Sequence, residues 1–418
     1  MVDYKRYMLN NGLTVILHQD MTTPLAVVNV LYKVGSKNEQ KDRTGLAHLF
    51  EHLMFTGTEA IPDFDIPIQK AGGDNNAFTS NDITNYYSFA PSKNLDLLLF
   101  LEADRMEKLS LDPEEFEVQK KVVIEEFYET SIDEPYGDIW HHLCKLAYKD
   151  HPYKWPVIGL KPADIKKVTK PDAWAFYKNH YRPENAVLVV SGNFKEKEAI
   201  KLIEQRFGGL ENPAHEQHSY LKEKPQKKQR RKIIHKNISV PAIYIAFHIP
   251  ERISHEFYIC DLISDILASG RSARLHEILV KQKKLFSSID AYTNGTSEEG
   301  LLVIDGKIAT DVDPETAEKA IFEVLEDLMK NQVSERELDK VINKSITTLV
   351  FSEYSASNKA MNLAYFESIG DVSLINREFD IYKNITSREI LEVSKKIFSL
   401  KNSNVLYYLT ELRKTETV

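Results

Sequence analysis

The chain has 418 residues, 42% apolar and 28% charged, an ordinary globular mix that excludes a disordered chain. Its 54 basic and 62 acidic residues leave a formal net charge of −8, without the basic balance of a nucleic-acid binder. Apolar runs such as residues 97–101 fall far short of the roughly 20 residues a spanning helix needs; Met1-Val2-Asp3-Tyr4-Lys5 carries no apolar signal core; and Cys144 and Cys260 build no disulfide framework. The expectation is therefore a soluble chain of two or three domains, cytoplasmic, with the periplasm left open, and with no nucleic acid or membrane among its partners.

Asn10-Asn11-Gly12 reads as a hairpin turn, followed by a strand at 13–17. Residues 27–32 form a second β-rich run with partial alternation. Residues 44–55 read as a helix, and further helices are expected at 66–70, 94–108, 113–128 and 173–181. Asp112-Pro113-Glu114-Glu115 carries three helix-start signals: a capping Asp, Pro in the first turn, and acids near the positive end of the dipole. Residues 185–190 read as a buried strand, stopped at Ser191-Gly192-Asn193.

Composition changes between Glu211 and Lys232. Pro213 and Pro225 flank a polar stretch that ends in Lys227-Lys228-Gln229-Arg230-Arg231-Lys232. This reads as an exposed linker with a solvated basic face rather than a nucleic-acid patch. Beyond it the pattern restarts. Residues 241–247 repeat the strand of 24–32, residues 258–267 repeat the helix of 45–55, and residues 404–409 repeat the strand of 185–190. The expected fold class is α+β: two tandem homologous domains of about 200 residues each, with mixed or antiparallel sheets packed against helices. The expected boundaries are 1–212, a basic linker at 213–232, and 233–418.

The sharpest chemical feature is His48-Leu49-Phe50-Glu51-His52. Residues four apart share a helix face, so His48 and His52 project one turn apart and can bind one zinc ion. Glu51 points to nearly the same side, toward the metal's water rather than the metal, and can take its proton. A surface His–Glu pair would leave the same string. The rest of the helix is apolar, however, and buried ionisable groups are costly unless paired or bound to metal. A catalytic zinc generally has three protein ligands. The helix from Pro113 offers Glu125, Glu126 and Glu129. The apolar stripe of Phe116, Val123 and Phe127 puts Glu126 first, with Cys144 and the pair His141-His142 as rivals.

His-x-x-Glu-His is the inverted zinc motif of the inverzincins, and the surrounding text resembles the pitrilysin, insulinase or mitochondrial processing peptidase family. The resemblance runs through 45–58, residues 73–87, Val122-Val-Ile-Glu-Glu126, His151-Pro-Tyr-Lys-Trp-Pro-Val-Ile-Gly159, residues 181–193 and, loosely, Arg271-Ser-Ala-Arg-Leu275. It implies a processing-peptidase-like metallohydrolase fold. It also implies a zinc metalloendopeptidase with one Zn2+ per chain, held by His48, His52 and Glu126, with Glu51 as general base. Asn76, Ala77, Phe78 and Thr79 match the edge strand on which substrates add as an extra β-strand. Substrates would thus be small peptides or unfolded, extended segments enclosed in a chamber. The competing reading is a non-catalytic core subunit of a larger complex.

Two departures from the family pattern stand out. Gln119 occupies the place of a glutamate that would orient the ligands from behind, leaving Gln119 and Glu129 as candidates for that outer layer. In the second half, active members carry an Arg and a Tyr that hold substrate. Here Val280 or Lys281 replaces the Arg and Ser287 the Tyr, with Phe286 and Tyr292 nearby. Lys281 supplies charge without the planar fork of Arg. This implies a heterodimer with a related subunit that lacks the zinc motif and supplies the Arg/Tyr pair, with a homodimer as the alternative.

Overall fold

A computed structural model describes residues 1–215 and 219–411; part of the expected linker, 216–218, and the C-terminal residues lie outside the described residues. The chain forms two compact units, each assembled from three stretches. The first holds Met1–Ile132, Trp155–Leu221 and Val350–Arg377; the second holds the remainder. Among the described residues, no helix is long and apolar enough to cross a membrane.

The first unit carries a six-stranded sheet of β1 (Lys5–Met8), β2 (Thr14–Gln19), β3 (Leu25–Tyr32), β4 (Asp74–Thr79), β5 (Thr84–Pro91) and β6 (Ala186–Gly192). Its spatial order is β1-β2-β6-β3-β5-β4, which leaves β4 at an edge. The expected hairpin is present, with Met8 opposite Thr14 across the Asn-Gly turn. The second unit carries a five-stranded sheet of β7 (Arg230–Lys236), β8 (Ala242–Ile249), β9 (Phe286–Asn294), β10 (Gly300–Ile308) and β11 (Ser403–Thr410), in the order β7-β11-β8-β10-β9. The duplication read from the pattern is visible strand by strand. The β2–β6 and β7–β11 pairs are parallel and the other pairs antiparallel, so β9 holds in the second sheet the edge that β4 holds in the first.

The covering of these sheets explains why their central strands read as apolar runs. A strand buried on both faces needs apolar residues at every position rather than every second one. One face of β3 packs in the main core with helix Leu95–Lys108, and helix Ala356–Ser368 packs on β3 and β6. That second helix comes from the C-terminal half of the sequence. In the second unit, Ile243, Ile245 and Phe247 of β8 pack on helix His255–Ala268. Ala242, Tyr244 and Ala246 pack instead against Leu143, Cys144 and Ala147 of helix Ile139–Ala147, which comes from the N-terminal half. Each sheet is thus closed by a helix that lies in the other half of the chain.

The basic stretch differs from its reading as a linker. Arg230, Arg231 and Lys232 open β7. Arg230 donates to the carbonyls of Leu146 and Ala147 at the end of helix Ile139–Ala147. Arg231 forms a two-pronged pair with Glu318, and Lys232 Nζ lies 2.9 Å from His142 Nδ1. These cations neutralise a helix C-terminus and a carboxylate, which local composition could not distinguish from a solvated face.

Candidate metal centre

The helix bearing the two histidines spans Leu46–Leu53, with Leu49, Phe50 and Leu53 fully buried beneath it. Phe50 packs on Phe176 and Tyr181, with ring centroids 5.2 and 5.3 Å apart. The helix starts at Gly45, whose φ of 88° lies in the left-handed region. A Cβ there would stand 2.9 Å from the Ile158 carbonyl oxygen and 2.8 Å from Ile165 Cδ1, so only glycine fits without displacement. The Glu39 carboxylate accepts the Gly45 and Ala47 amides at 2.9 and 2.8 Å, satisfying two of the helix's orphan donors. Desolvation pushes the Glu39 carboxyl well above the ordinary range, against the pull of those two amides.

The remaining face carries His48, Glu51 and His52. Glu126 arrives from helix Pro113–Phe127, which begins as expected: Asp112 accepts the Glu114 and Glu115 amides at 2.9 and 3.2 Å. Phe116, Lys120, Val123 and Phe127 are its buried stripe, and Glu126 lies on the flank of that stripe. Its two carboxylate oxygens lie 3.6 Å from His48 Nε2 and 3.5 Å from His52 Nε2. These separations are too long for good hydrogen bonds. Two atoms each about 2.0–2.1 Å from a shared ion at a tetrahedral angle stand roughly 3.3–3.4 Å apart, and each imidazole lies near that distance from one of the two carboxylate oxygens. Among the described residues this is the one cluster of three or more His, Cys, Asp or Glu able to hold a metal, its ligand atoms all within 4.8 Å of one another. Burial lowers the His48 pKa, against the pull of Glu126. His52, aided by His48, holds Glu126 below the usual carboxylate value despite partial burial. His48 Nδ1 is buried with no hydrogen-bond partner among the described residues.

Glu51 is tied to the edge strand: Thr79 Oγ1 donates to Glu51 Oε2 at 2.6 Å. Next to it opens a cavity of about 480 Å³ lined by Glu51, His52, Phe55, Asn76, Ala77 and Gln119, among others. Asn75, Ala77 and Thr79 are half-buried on one face of β4, whereas Asn76 and Phe78 are exposed on the other. Gln119 joins the cavity wall. Glu125 and Glu129 are exposed, Glu129 on a π-helical turn at Tyr128–Asp133, and neither enters the cluster. Cys144, His141 and His142 belong to the second unit, on the helix that covers its sheet.

Sequence reasoning missed Glu39 and the Thr79–Glu51 bond. Nothing local marks Glu39 as a cap, because it stands six residues before Gly45 in a loop. The second unit repeats the Thr79 contact: Thr293 Oγ1 on β9 donates to Asp261 Oδ1 of helix His255–Ala268 at 3.0 Å. With Asp261 in the place of Glu51, the two histidine places fall on Tyr258 and Leu262, which are no zinc pair. At the expected Arg/Tyr positions, Lys281 is bound to Glu277 at 2.8 Å and to the Arg271 carbonyl at 3.0 Å. Ser287 is exposed and Phe286 is buried in the core.

Residues 14–160 match the family described as Insulinase (Peptidase family M16), and residues 167–345 match its companion, Peptidase M16 inactive domain. The chain is 29% identical over 409 residues to Zinc protease PqqE of Helicobacter pylori, covering 96% of this chain and 88% of that one. Over 205 residues it is 31% identical to the mitochondrial-processing peptidase subunit beta of Blastocladiella emersonii, a likeness confined to 48% of this chain and 43% of the other. The crystal structure of a protease from Helicobacter pylori superposes with a TM-score of 0.92 at 28% identity, covering 98% of this chain and all of that one. Family matches along both halves, zinc proteases among the relatives, and a duplicated fold bearing the inverted motif agree on one assignment: the chain belongs to the insulinase family of peptidases, M16.

Proposed function

We propose that this chain is a zinc metalloendopeptidase that cleaves small peptides or extended, unfolded segments. The carrying observation is the convergence of His48, His52 and Glu126 with Glu51 held beside them by the edge strand. His48, His52 and Glu126 would hold one zinc, which when bound supplies Lewis acidity toward the scissile carbonyl and acidity to a water. Glu51 takes the proton from the attacking water and delivers it to the leaving amine. Strand β4 orients the substrate by main-chain pairing, and the adjoining cavity receives a side chain. Gln119, on the cavity wall, lies where an outer group would tune the site.

The proposal extends to a heterodimer. Lys281 is engaged by Glu277 on its own turn, and Ser287 brings no ring to a substrate. A related subunit that supplies an Arg and a Tyr would complete the site.

The test is cleavage of an unfolded polypeptide by the purified chain, alone and with a candidate partner, with zinc measured on the same sample. The expected result is one zinc per chain and cleavage abolished by chelation and by Glu51→Gln. The Glu51→Gln loss should be about 10²–10⁴-fold. Cleavage persisting in zinc-retaining Glu51→Gln would remove the proposed base; absence of zinc would remove the centre.

A further inference from the structure

The outward edge of β4 is partly closed by its own side chains. In an antiparallel ladder, alternate residues turn both backbone groups toward the neighbouring strand, and the others turn them away. Two bonds set the parity here. Ser80 N donates to the Ile83 carbonyl across the β4–β5 turn at 2.8 Å, and Ser92 N donates to the Pro24 carbonyl at the far end of β5 at 3.0 Å. With the register Asn76↔Tyr87 and Phe78↔Asn85, the even-numbered residues of β4 bond to β5. Asn75, Ala77 and Thr79 therefore turn their N–H and C=O groups to the open side.

Two of those three amides already have acceptors. Asn75 N donates to Asp74 Oδ1 at 2.8 Å, and Ala77 N donates to Asn76 Oδ1 at 2.7 Å. In each case the acceptor is the side chain of the preceding residue. Thr79 N lies at the end where the Thr79 hydroxyl holds Glu51, and among the described residues it has no such cap. An exposed edge is a template for any passing strand, and native sheets blunt it with charged or polar side chains.

We propose that Asp74 and Asn76 are removable caps that compete with a substrate strand for the edge donors. Docking then starts at Thr79, beside Glu51, and runs toward Asp74 as each cap swings out. Among the described residues nothing donates to the carbonyls of Asn75 and Ala77, so an incoming strand can donate from the start but accepts at these positions only after displacing a cap. This favours fully extended segments able to pair along the whole strand. The inference rests on the peptidase reading of the site, but the caps themselves are testable without cleavage.

The experiment is residue-resolved hydrogen exchange across 74–79 in the Glu51→Gln chain, with titration of a fluorescent extended peptide. In the free protein, the Asn75 and Ala77 amides should exchange more slowly than the Thr79 amide. Asp74→Ala should speed Asn75 alone, and Asn76→Ala should speed Ala77 alone. Asp74→Asn keeps a side-chain carbonyl oxygen and should restore slow exchange at Asn75. Losing one competing hydrogen bond should tighten peptide binding by Asp74→Ala about two- to tenfold. Exchange at Asn75 indifferent to Asp74→Ala, or peptide affinity that fails to rise, overturns the caps. Both effects in the Glu51→Gln chain, together with no cleavage of an unfolded polypeptide by the zinc-loaded chain with Glu51 intact, alone or with a partner, overturn the peptidase reading and leave the caps standing.

Discussion

The Thr79 hydroxyl donates to Glu51 Oε2 at 2.6 Å, joining the edge strand to the carboxylate that would act as base. Thr293 and Asp261 repeat the contact at 3.0 Å in the second unit, where Tyr258 and Leu262 replace the histidine pair. The strand-to-helix bond is therefore a property of the duplicated fold, and the proposed catalytic centre lies on its first copy. Thr79→Val keeps the shape and removes the donor. A hydrogen bond to a charged group contributes about 1.5–3 kcal/mol, so kcat should fall about ten- to a hundredfold while zinc content stays the same. Thr79→Ser should restore most of it. Steady-state kinetics with metal analysis reads both outcomes, and unchanged kcat in Thr79→Val would show that Glu51 positions itself.

Glu126 belongs to the candidate metal cluster more than to the core, since its side chain is 36% exposed. Glu126→Ala should therefore weaken zinc binding by more than the roughly 10–100-fold typical of lost outer partners, with the unfolding midpoint of the metal-free chain nearly unchanged. Competition with a zinc-binding dye measures the first and chemical denaturation the second. Wild-type affinity in this variant would point to a third ligand elsewhere.

Glu39 acts on the site through the helix it caps. Glu39→Ala leaves the Gly45 and Ala47 amides buried without acceptors, at about 1–3 kcal/mol per group. The expected loss of stability is about 2–5 kcal/mol, with a parallel fall in zinc affinity because His48 lies in the first turn. Glu39→Gln keeps a side-chain carbonyl oxygen and should lose less. Denaturant unfolding of the two variants separates them, and equal losses would show that the caps are not what the carboxylate supplies.

Asp20 titrates chiefly with its own turn and to a smaller degree with the helix contributed by the C-terminal half. The Thr22 hydroxyl and amide, and then Lys359 on helix Ala356–Ser368, lower its pKa from 3.8 to about 2. A depressed carboxylate contributes stability above its unfolded value and loses it as pH falls through the folded one. The full shift corresponds to roughly 2 kcal/mol, and solvent screening reduces that to about 1 kcal/mol. Between pH 3.8 and about 2 the wild type should lose about 1 kcal/mol more than Asp20→Asn, read from unfolding curves across that range. Parallel pH profiles would remove Asp20 from the account.

The elements that local chemistry specifies were legible in the chain itself. A capping Asp with Pro starts the helix at Pro113, an Asn-Gly turn closes the first hairpin, and i,i+4 spacing puts His48 and His52 on one face. The apolar stripe of Phe116, Val123 and Phe127 ranked Glu126 above its neighbours, and the structure brings Glu126 to the two imidazoles. What the chain could not announce depends on groups far apart in sequence. Glu39 reaches Gly45 only through a loop, Arg230 finds a helix end more than 80 residues away, and Thr79 meets Glu51 because β4 returns beside the histidine helix. The covering helices show this most plainly. An apolar run on β3 or β8 states that both faces are buried, but not by what, because hydrophobic burial is non-directional. Only the folded chain decided that helices Ile139–Ala147 and Ala356–Ser368 each close the sheet of the other half.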